Sequence, residues 1–239
     1  MCPDLATGHP DALLDGTVIT AVRTGATSAL SARLLARADA AVLAILGTGV
    51  QARSHARAIC RVRPIREIRV AGRDPARSAA LADELGAELG VAAEGAGSYA
   101  EALEGAEIAC ATTADGEPAV QRPWLAPGVH VTSVRAVGRE LDDATVAEAL
   151  VCVESRRAAL APFPAGTVDL VEPLRAGVIG EAHLHSELGE LVAGTRPGRT
   201  SDEQITLYKS VGVAVQDAAA AALVLRAARE RGVGTEVPL

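Results

Sequence analysis

Aromatic residues and lysines are almost absent from this chain. Phe, Trp and Tyr make up 2% of its 239 residues, and Lys209 is its one lysine. The net charge is −7, and the arginines form no basic block. A protein that binds nucleic acid needs basic patches or aromatic side chains on which bases stack. We therefore expect no nucleic-acid partner.

Uncharged apolar runs of membrane-spanning length are also missing, although the mean hydropathy is +0.22. Arg, Asp or Glu interrupts every apolar stretch before it reaches the roughly 20 residues that a transmembrane helix needs. The first residues, Met1-Cys2-Pro3-Asp4, have neither the basic nor the apolar segment of a secretory signal. The sequence predicts a cytoplasmic protein with no membrane partner.

Cysteine and histidine patterns of metal sites are lacking. The four cysteines are scattered, at Cys2, Cys60, Cys110 and Cys152. Their spacing fits no metal or redox motif, so we expect free, buried thiols in a reducing compartment. His183 and His185 lie near acidic residues, but a His-x-His pair on a loop is weak support for a metal. We predict no metal site.

What the chain does have is a regular alternation of predicted strands and helices. Apolar runs predict strands at 41–46, 67–71, 91–93, 108–111, 129–134, 150–153 and 204–207. Helical patterns separate them at 50–62, 75–86, 99–103 and 186–192, and a long one follows at 211–231. This alternation predicts an α/β fold with a doubly wound parallel sheet of Rossmann type over residues 39–204.

The flanks, residues 1–38 and 205–239, are too short for a core of their own. We expect them to pack together, or against another subunit, as a reduced second domain. Asp15-Gly16 predicts a hairpin turn between strands at 12–14 and 17–20, and a helix follows over 24–37. The hairpin and the 211–231 helix are the expected contacts of a homodimer.

The strongest motif is Gly47-Thr48-Gly49-Val50-Gln51-Ala52, which directly follows a buried strand and opens a helix. In this context G-x-G-x-x-A predicts a dinucleotide site. Gly47 permits the tight turn, Gly49 lets the backbone approach the pyrophosphate, and the helix amino terminus donates to phosphate. We predict cofactor contacts for residues 47–51; an ordinary strand-to-helix turn is the alternative.

The end of the next strand, Arg73-Asp74, bears on cofactor choice. Arg73 could pair with the 2′-phosphate of NADP(H), whereas an acidic residue there would favour the ribose of NAD(H). The alternatives are a solvated loop charge for Arg73 and a helix cap for Asp74. We predict a preference for NADP(H), with NAD(H) as the second choice.

Three further places carry candidate residues, each with a structural alternative. Thr112-Thr113 closes a predicted strand, so its hydroxyls would line the ligand crevice or make local turn bonds. Arg23 would hold a substrate carboxylate or form a structural ion pair. Lys209 precedes a helix. If it has no role in a site, it is a lysine whose ammonium group extends to solvent.

Several segments together resemble one family, from about Leu13 to Gly234. They are residues 15–24, 45–52 with 54–55, 124–128, 139–142, 186–190, and 206–212 with 216–217, including Arg139-Glu140-Leu141-Asp142 and Leu207-Tyr208-Lys209-Ser210-Val211-Gly212. They are similar to the ornithine cyclodeaminase/mu-crystallin family. The resemblance implies a Rossmann domain, a substrate and dimerisation domain built from both termini, and hydride transfer between a nicotinamide and the α-carbon of an amino acid or imine.

The resemblance also implies roles for individual residues. Arg23, with Thr24, would hold the substrate carboxylate, and Lys209 would lie near the substrate. The cofactor-binding residues would be Gly47, Thr48, Gly49, Val50, Gln51, Arg73, Asp74, Thr112, Thr113, Val134, Ser210 and Gly212.

Two departures from the family pattern limit the predicted activity. The first residues of this chain resemble a segment that lies well after the family's usual amino terminus. The chain therefore looks like an N-terminally shortened member without the family's catalytic lysine. The loop Arg135-Ala136-Val137-Gly138 is short and has no carboxylate before Glu140. We therefore assign no catalytic residue and do not expect cyclodeamination by the usual route.

The leading hypothesis is an NAD(P)H-dependent reductase of an imine or dehydro amino acid, including one carried on a peptide or carrier protein. The alternatives are a non-catalytic nicotinamide-nucleotide-binding relative, a cyclodeaminase or amino-acid dehydrogenase that acts with a partner chain, and an incomplete gene product.

Overall fold

The computed structural model describes residues 2–3, 10–113, 116–135, 137–162 and 164–237. The chain divides into two compact units, one of residues 24–212 and one of residues 1–23 with 213–239. The expected boundaries, after 38 and after 204, differ from these because the first helix and the last strand contribute residues to the larger unit.

The strands are β1 (Cys2–Pro3), β2 (Pro10–Ala12), β3 (Val42–Leu46), β4 (Glu67–Ala71), β5 (Ala92–Gly95), β6 (Ile108–Ala111), β7 (His130–Ser133), β8 (Leu150–Val153), β9 (Ser186–Glu187) and β10 (Thr206–Lys209). The helices are α1 (Gly16–Leu35), α2 (Val50–Ile59), α3 (Pro75–Leu89), α4 (Tyr99–Leu103), α5 (Asp143–Glu148), α6 (Arg156–Ala159), α7 (Val168–Arg175), α8 (Leu188–Val192) and α9 (Ala214–Arg231).

Eight of these strands form one sheet in the order β5-β4-β3-β6-β7-β10-β8-β9. Every neighbouring pair in it is parallel. Sequential strands leave β3 in opposite directions across the sheet, toward β4 and toward β6, which creates a switch point between β3 and β6. The predicted doubly wound Rossmann-type fold is confirmed.

The core lies on both faces of this sheet, as the continuous apolar strands require. Alternate residues of β3 point to opposite faces: Leu43 and Ile45 pack with α1, α2 and α3, whereas Ala44 and Leu46 belong to the cluster with α4, α5 and α7. Helices therefore cover both faces, and the carboxyl ends of the strands form the edge where ligands of such sheets bind.

The predicted hairpin around Asp15-Gly16 is wrong. Residues 17–20 form part of α1, which begins at Gly16, and the side chain of Asp15 accepts the Thr17 N–H at 2.8 Å. An acidic residue immediately before a helix stabilises its amino terminus, so the Asp-Gly pair starts a helix here and not a turn. The strand before it, β2, pairs antiparallel with β1.

The predicted bounds and position of the last strand are wrong. The sequence predicts a strand at 204–207, outside the parallel sheet. The structure has β10 at Thr206–Lys209, inside that sheet between β7 and β8. The segment predicted as a helix over 186–192 starts with β9, and its helix begins at Leu188. The short helices α5, α6 and α7 were not predicted.

The smaller unit contains β1, β2 and α9. Arg229 of α9 forms an ion pair with Asp11 at 2.7 Å. Among the described residues, no helix combines the length and the apolar character needed to cross a membrane.

Candidate functional site

The turn after β3 has the geometry that the glycine motif predicts. Gly47 has φ +119°, and its N–H donates to the Ala71 carbonyl at 2.7 Å. A Cβ at this position would lie 2.7 Å from the Thr112 carbonyl oxygen at the end of β6. Only glycine combines this φ with this close approach. The turn therefore lies at the switch point, between the ends of β3 and β6.

The amino terminus of α2 is open to a ligand. Its N-cap residue is Gly49, which provides no side-chain cap, and a Cβ at Gly49 would meet nothing within 4 Å. Two buried side-chain oxygens, Gln51 Oε1 in α2 and Thr113 Oγ1 after β6, have no hydrogen-bond partner among the residues that the structure describes. Uncapped helix amides and unpartnered polar atoms fit the phosphates and polar groups of a dinucleotide.

At the end of β4, Asp74 acts as a helix cap. Its Oδ1 accepts the N–H groups of Ala76 at 2.9 Å and Arg77 at 3.3 Å, at the start of α3. This is the structural alternative given above for Asp74. The neighbouring Arg73 is exposed. Gly72 lies against the turn, since a Cβ there would be 3.0 Å from the Thr48 methyl group.

Thr112 and Thr113 follow β6 and differ in what their hydroxyls do. Thr112 Oγ1 donates to the Leu46 carbonyl of the neighbouring strand β3 at 2.9 Å, which is a bond between strands and not the local turn bond of the alternative prediction. The Thr113 N–H donates to Glu140 Oε1 at 3.1 Å, while its hydroxyl has no partner in the described part of the chain. The Thr113 hydroxyl can therefore donate to a ligand, whereas the Thr112 hydroxyl, whose proton is used, can only accept.

Glu140 is fully buried and accepts hydrogen bonds from the ends of two strands. Its Oε1 accepts from Thr113, after β6. Its Oε2 accepts from the Ser133 hydroxyl at 2.6 Å and from the N–H groups of Val134 and Arg135 at 3.1 Å each. Burial is the main effect on this carboxyl and raises its pKa, and the ammonium of Lys209 opposes that shift. Val134, a predicted cofactor residue, is thus held through its backbone.

Lys209 is the last residue of β10 and is fully buried. Its Nζ lies 2.7 Å from Asp169 Oδ2 and 3.7 Å from Glu140 Oε2, and it donates to the Ser133 hydroxyl at 2.7 Å and to the Arg135 carbonyl at 2.7 Å. The alternative of an ammonium group extended to solvent is wrong. Substrate binding by Lys209 stays a prediction that these contacts do not support.

The loop after β10 is held by a second carboxylate, Glu154, which follows β8. Glu154 accepts the Ser210 hydroxyl through a short hydrogen bond and the N–H groups of Val211 at 3.2 Å and Gly212 at 3.1 Å. Gly212 has φ +77°, a conformation that favours glycine. Ser210 and Gly212 are therefore fixed at the same edge of the sheet as the ends of β6 and β7.

Arg23 and Thr24 lie in α1. The Arg23 guanidinium forms an ion pair with Asp217 at 3.1 Å and donates to Gln216 Oε1 at 3.0 Å. The structural ion pair, the alternative given for Arg23, is therefore present. Thr24 is buried.

Three carboxylates of this edge were not singled out from the sequence. Glu140 stood only as part of the segment Arg139-Glu140-Leu141-Asp142, Asp169 lies in a stretch rich in glycine and proline, and Glu154 follows a strand without any motif. The one available signal was a single apolar neighbour of each glutamate, Val153 before Glu154 and Leu141 after Glu140, which does not distinguish a buried carboxylate from an exposed one.

Within the described ranges, no cluster of three or more His, Cys, Asp or Glu residues could hold a metal ion. The ring Nε2 atoms of His183 and His185 contact the carbonyls of Val146 and Pro197 at 2.7 and 2.9 Å. Both histidines are therefore engaged by the backbone.

A family model, sequence relatives and solved structures all assign this chain to one protein family. A model of the ornithine cyclodeaminase/mu-crystallin family matches residues 2–232. A Δ1-pyrroline-2-carboxylate reductase of Bacillus cereus is 38% identical over 241 residues, which cover 99% of this chain and 73% of that protein.

Two solved structures are similar to almost the whole chain. That of the Thermococcus litoralis Δ1-pyrroline-2-carboxylate reductase, in complex with NADH and L-proline, has a TM-score of 0.94 and 41% identity over 98% of this chain and 72% of that one. An archaeal alanine dehydrogenase dimer with bound NAD has a TM-score of 0.91 and 29% identity, over 99% and 72%.

These relatives confirm the predicted class of enzyme, a nicotinamide-dependent reductase or amino-acid dehydrogenase. The chain belongs to the ornithine cyclodeaminase/mu-crystallin family.

Proposed function

We propose that this chain reduces a cyclic α-imino acid of the Δ1-pyrroline-2-carboxylate type, with NADPH as its preferred reductant. The observation that carries the proposal is the uncapped amino terminus of α2 beside the Gly47 turn, in a chain 41% identical to a reductase solved with NADH and L-proline. The end of β4 would take the adenosine ribose, and the ends of β6, β7 and β10 the nicotinamide half.

The preference for NADPH rests on the residues after β4. The Asp74 carboxylate already accepts two backbone N–H groups of α3, so it is a poor ligand for ribose hydroxyls. The exposed guanidinium of Arg73 is suited to a 2′-phosphate, because its fork of donors matches phosphate oxygens. NADH, the cofactor of the Thermococcus relative, is the second candidate.

Reduction of an imine adds a hydride to carbon and a proton to nitrogen. A bound dihydronicotinamide supplies the hydride. Arg23 is our candidate for the substrate carboxylate, and in that role its guanidinium would exchange Asp217 and Gln216 for the substrate. Thr24 follows it in α1 and stays a candidate neighbour of the substrate. The proton would come from water, from the substrate or from a partner subunit.

Partners and location are proposed on separate grounds. A homodimer is supported by the archaeal relative, which is described as a dimer, and by the exposed apolar side chains of Val215, Leu223 and Val224 on α9. The free thiols of Cys60, Cys110 and Cys152 support a reducing compartment such as the cytoplasm. A substrate carried on a peptide or carrier protein stays a prediction.

Fluorescence titration with NADPH and with NADH tests the proposal. We expect tighter binding of NADPH, followed by loss of its fluorescence when Δ1-pyrroline-2-carboxylate is added. Binding without loss of fluorescence would refute the proposed substrate class. Absence of binding by either nucleotide would refute the assignment of the glycine turn.

A further inference from the structure

Four fully buried polar residues meet beside the carboxyl ends of β6, β7 and β10. We call them the buried polar cluster: Ser133, Glu140, Asp169 and Lys209. They come from β7, from the loop after it, from α7 and from β10. Buried charges are costly unless they are paired and hydrogen-bonded, so a cluster of this composition needs a physical reason.

The contacts within the cluster form a closed ring. Lys209 Nζ lies 2.7 Å from Asp169 Oδ2 and donates to Ser133 Oγ at 2.7 Å. Ser133 Oγ donates to Glu140 Oε2 at 2.6 Å. Asp169 Oδ1 closes the ring by accepting the N–H of Glu140 at 3.0 Å. Each member has two neighbours in the ring, so its position is fixed from two sides.

The side chains of the ring also form hydrogen bonds to the backbone of residues that are not members of it. Glu140 accepts the N–H groups of Thr113, Val134 and Arg135, each at 3.1 Å. Lys209 donates to the Arg135 carbonyl at 2.7 Å. The backbone leaving β6 and the backbone leaving β7 are therefore joined through one carboxylate.

These two strand ends lie on the side of the Gly47 turn opposite to β4. In a doubly wound sheet the ligand crosses the carboxyl edge at the switch point, with its pyrophosphate at the glycine turn. Since the end of β4 would take the adenosine half, the ends of β6 and β7 are left for the nicotinamide half. The cluster lies next to the place where hydride would be transferred.

We propose that Glu140, Asp169 and Lys209 are positioning residues for hydride transfer, which fix the ends of β6 and β7 against the nicotinamide half of the cofactor. This inference rests on the proposed function. The three side chains act through the backbone of Thr113, Val134 and Arg135 and through Ser133, without themselves touching the cofactor or the substrate.

The chemistry of Glu140 makes the proposal specific. Four donors point at its carboxylate, three of them backbone N–H groups and one a hydroxyl. A carboxylate only accepts hydrogen bonds, whereas a glutamine amide must turn its NH₂ toward one of these donors. Glu140→Gln therefore keeps the size of the side chain and releases at least one strand end.

The test compares Glu140→Gln with Glu148→Gln, which removes a half-exposed carboxylate that pairs with Arg122 in the same unit. Adenosine 2′,5′-bisphosphate, which has the adenosine end and no nicotinamide, reports on the β4 side. We expect its Kd to stay within about twofold of the wild-type value, since β4 is separated from the strands of the cluster by β3.

In Glu140→Gln the Kd of NADPH should rise about tenfold, and kcat should fall about a hundredfold, because a small misplacement of the reacting groups is costly. Amide exchange of Thr113, Val134 and Arg135, followed by NMR, should become faster without cofactor present. Glu148→Gln should match the wild type in all of these measurements.

Two results would overturn the proposal. One is a Glu140→Gln protein that behaves like the control. The other is an equal loss of both ligands in proportion to the unfolded fraction, which would mean a role in stability alone. If Glu140→Gln does not fold, Ser133→Ala is the second variant, since it removes the hydroxyl link between Lys209 and Glu140. We expect it to weaken NADPH binding and lower kcat by smaller factors, again without weakening the binding of adenosine 2′,5′-bisphosphate.

Failure of the proposed function gives a different pattern. If the wild type neither binds NADPH nor reduces the imino acid, the proposed function fails. The amide-exchange comparison still tests whether Glu140 holds the two strand ends.

Discussion

Lys209 Nζ lies 2.7 Å from Asp169 Oδ2, and both side chains are fully buried. The pair joins β10, an interior strand of the sheet, to α7. The chain's one lysine is thus placed inside the protein, where its charge is balanced by Asp169 and by Glu140 at 3.7 Å. Removing one partner of a buried ion pair leaves an uncompensated charge, which costs more than the pair itself contributes.

Lys209→Met should therefore lower the free energy of unfolding by about 3–5 kcal/mol. The double variant Lys209→Met/Asp169→Asn should recover part of the loss, since it no longer buries an unpaired carboxylate at Asp169. Urea denaturation measures both. The control Arg229→Met, which breaks the exposed pair with Asp11, should cost no more than about 1 kcal/mol. Equal losses in Lys209→Met and the control would contradict the account.

A feature of the fold can be predicted from the sequence when the residues that determine it are close together in the chain. The β3-turn-α2 unit was predicted because its signals, an apolar run followed by G-x-G-x-x-A, are adjacent in the chain. The place of β10 was not, because nothing in Thr206–Lys209 says that it lies between β7 and β8. The role of Asp169 could not be predicted for the same reason, because its partners, Glu140 and Lys209, are distant in sequence.

Gly47 and Gly49 should respond differently to alanine. Gly47→Ala places a Cβ 2.7 Å from the Thr112 carbonyl at φ +119°, so we expect lower stability and loss of NADPH binding. Gly49→Ala meets nothing within 4 Å, so its stability should change by no more than about 1 kcal/mol. Its Kd for NADPH should still rise about tenfold, because the methyl group fills the approach to the pyrophosphate.

Thermal unfolding and fluorescence titration separate these two effects. A Gly49→Ala protein with unchanged NADPH affinity would mean that the cofactor does not approach this turn.

Arg73→Ala tests cofactor choice. Loss of a charge-assisted contact with the 2′-phosphate should raise the Kd of NADPH about tenfold and leave that of NADH unchanged. Arg77→Ala, which removes another exposed arginine from the first turn of α3, is the matched control. A similar effect of Arg73→Ala on both nucleotides would argue against a 2′-phosphate site.

Two buried histidines predict a pH dependence of stability. Burial lowers the pKa of His55 to about 4 and that of His130 to about 3. The unfolded chain binds protons at pH 6.5 and below, whereas the folded protein does not until these lower values. The contribution to stability is therefore complete above pH 6.5 and is lost as the pH falls, by up to about 1.4 kcal/mol per pH unit for each histidine.

NMR of the imidazole rings checks this directly. Both rings should keep the resonances of the neutral form down to pH 5.5, and urea denaturation should show His55→Gln losing less stability between pH 6.5 and pH 5 than the wild type. A titration midpoint near 6.5 for either ring would contradict the burial that the structure assigns to it.

We propose that this chain transfers hydride from a reduced nicotinamide to the α-carbon of a cyclic imino acid. Its most direct test is a reaction of the purified protein with Δ1-pyrroline-2-carboxylate and NADPH that carries deuterium on the transferred position of the ring. We expect proline with one deuterium at the α-carbon, formed in equal amount to the NADPH consumed. Unlabelled proline, or unchanged substrate in the presence of bound NADPH, would contradict it.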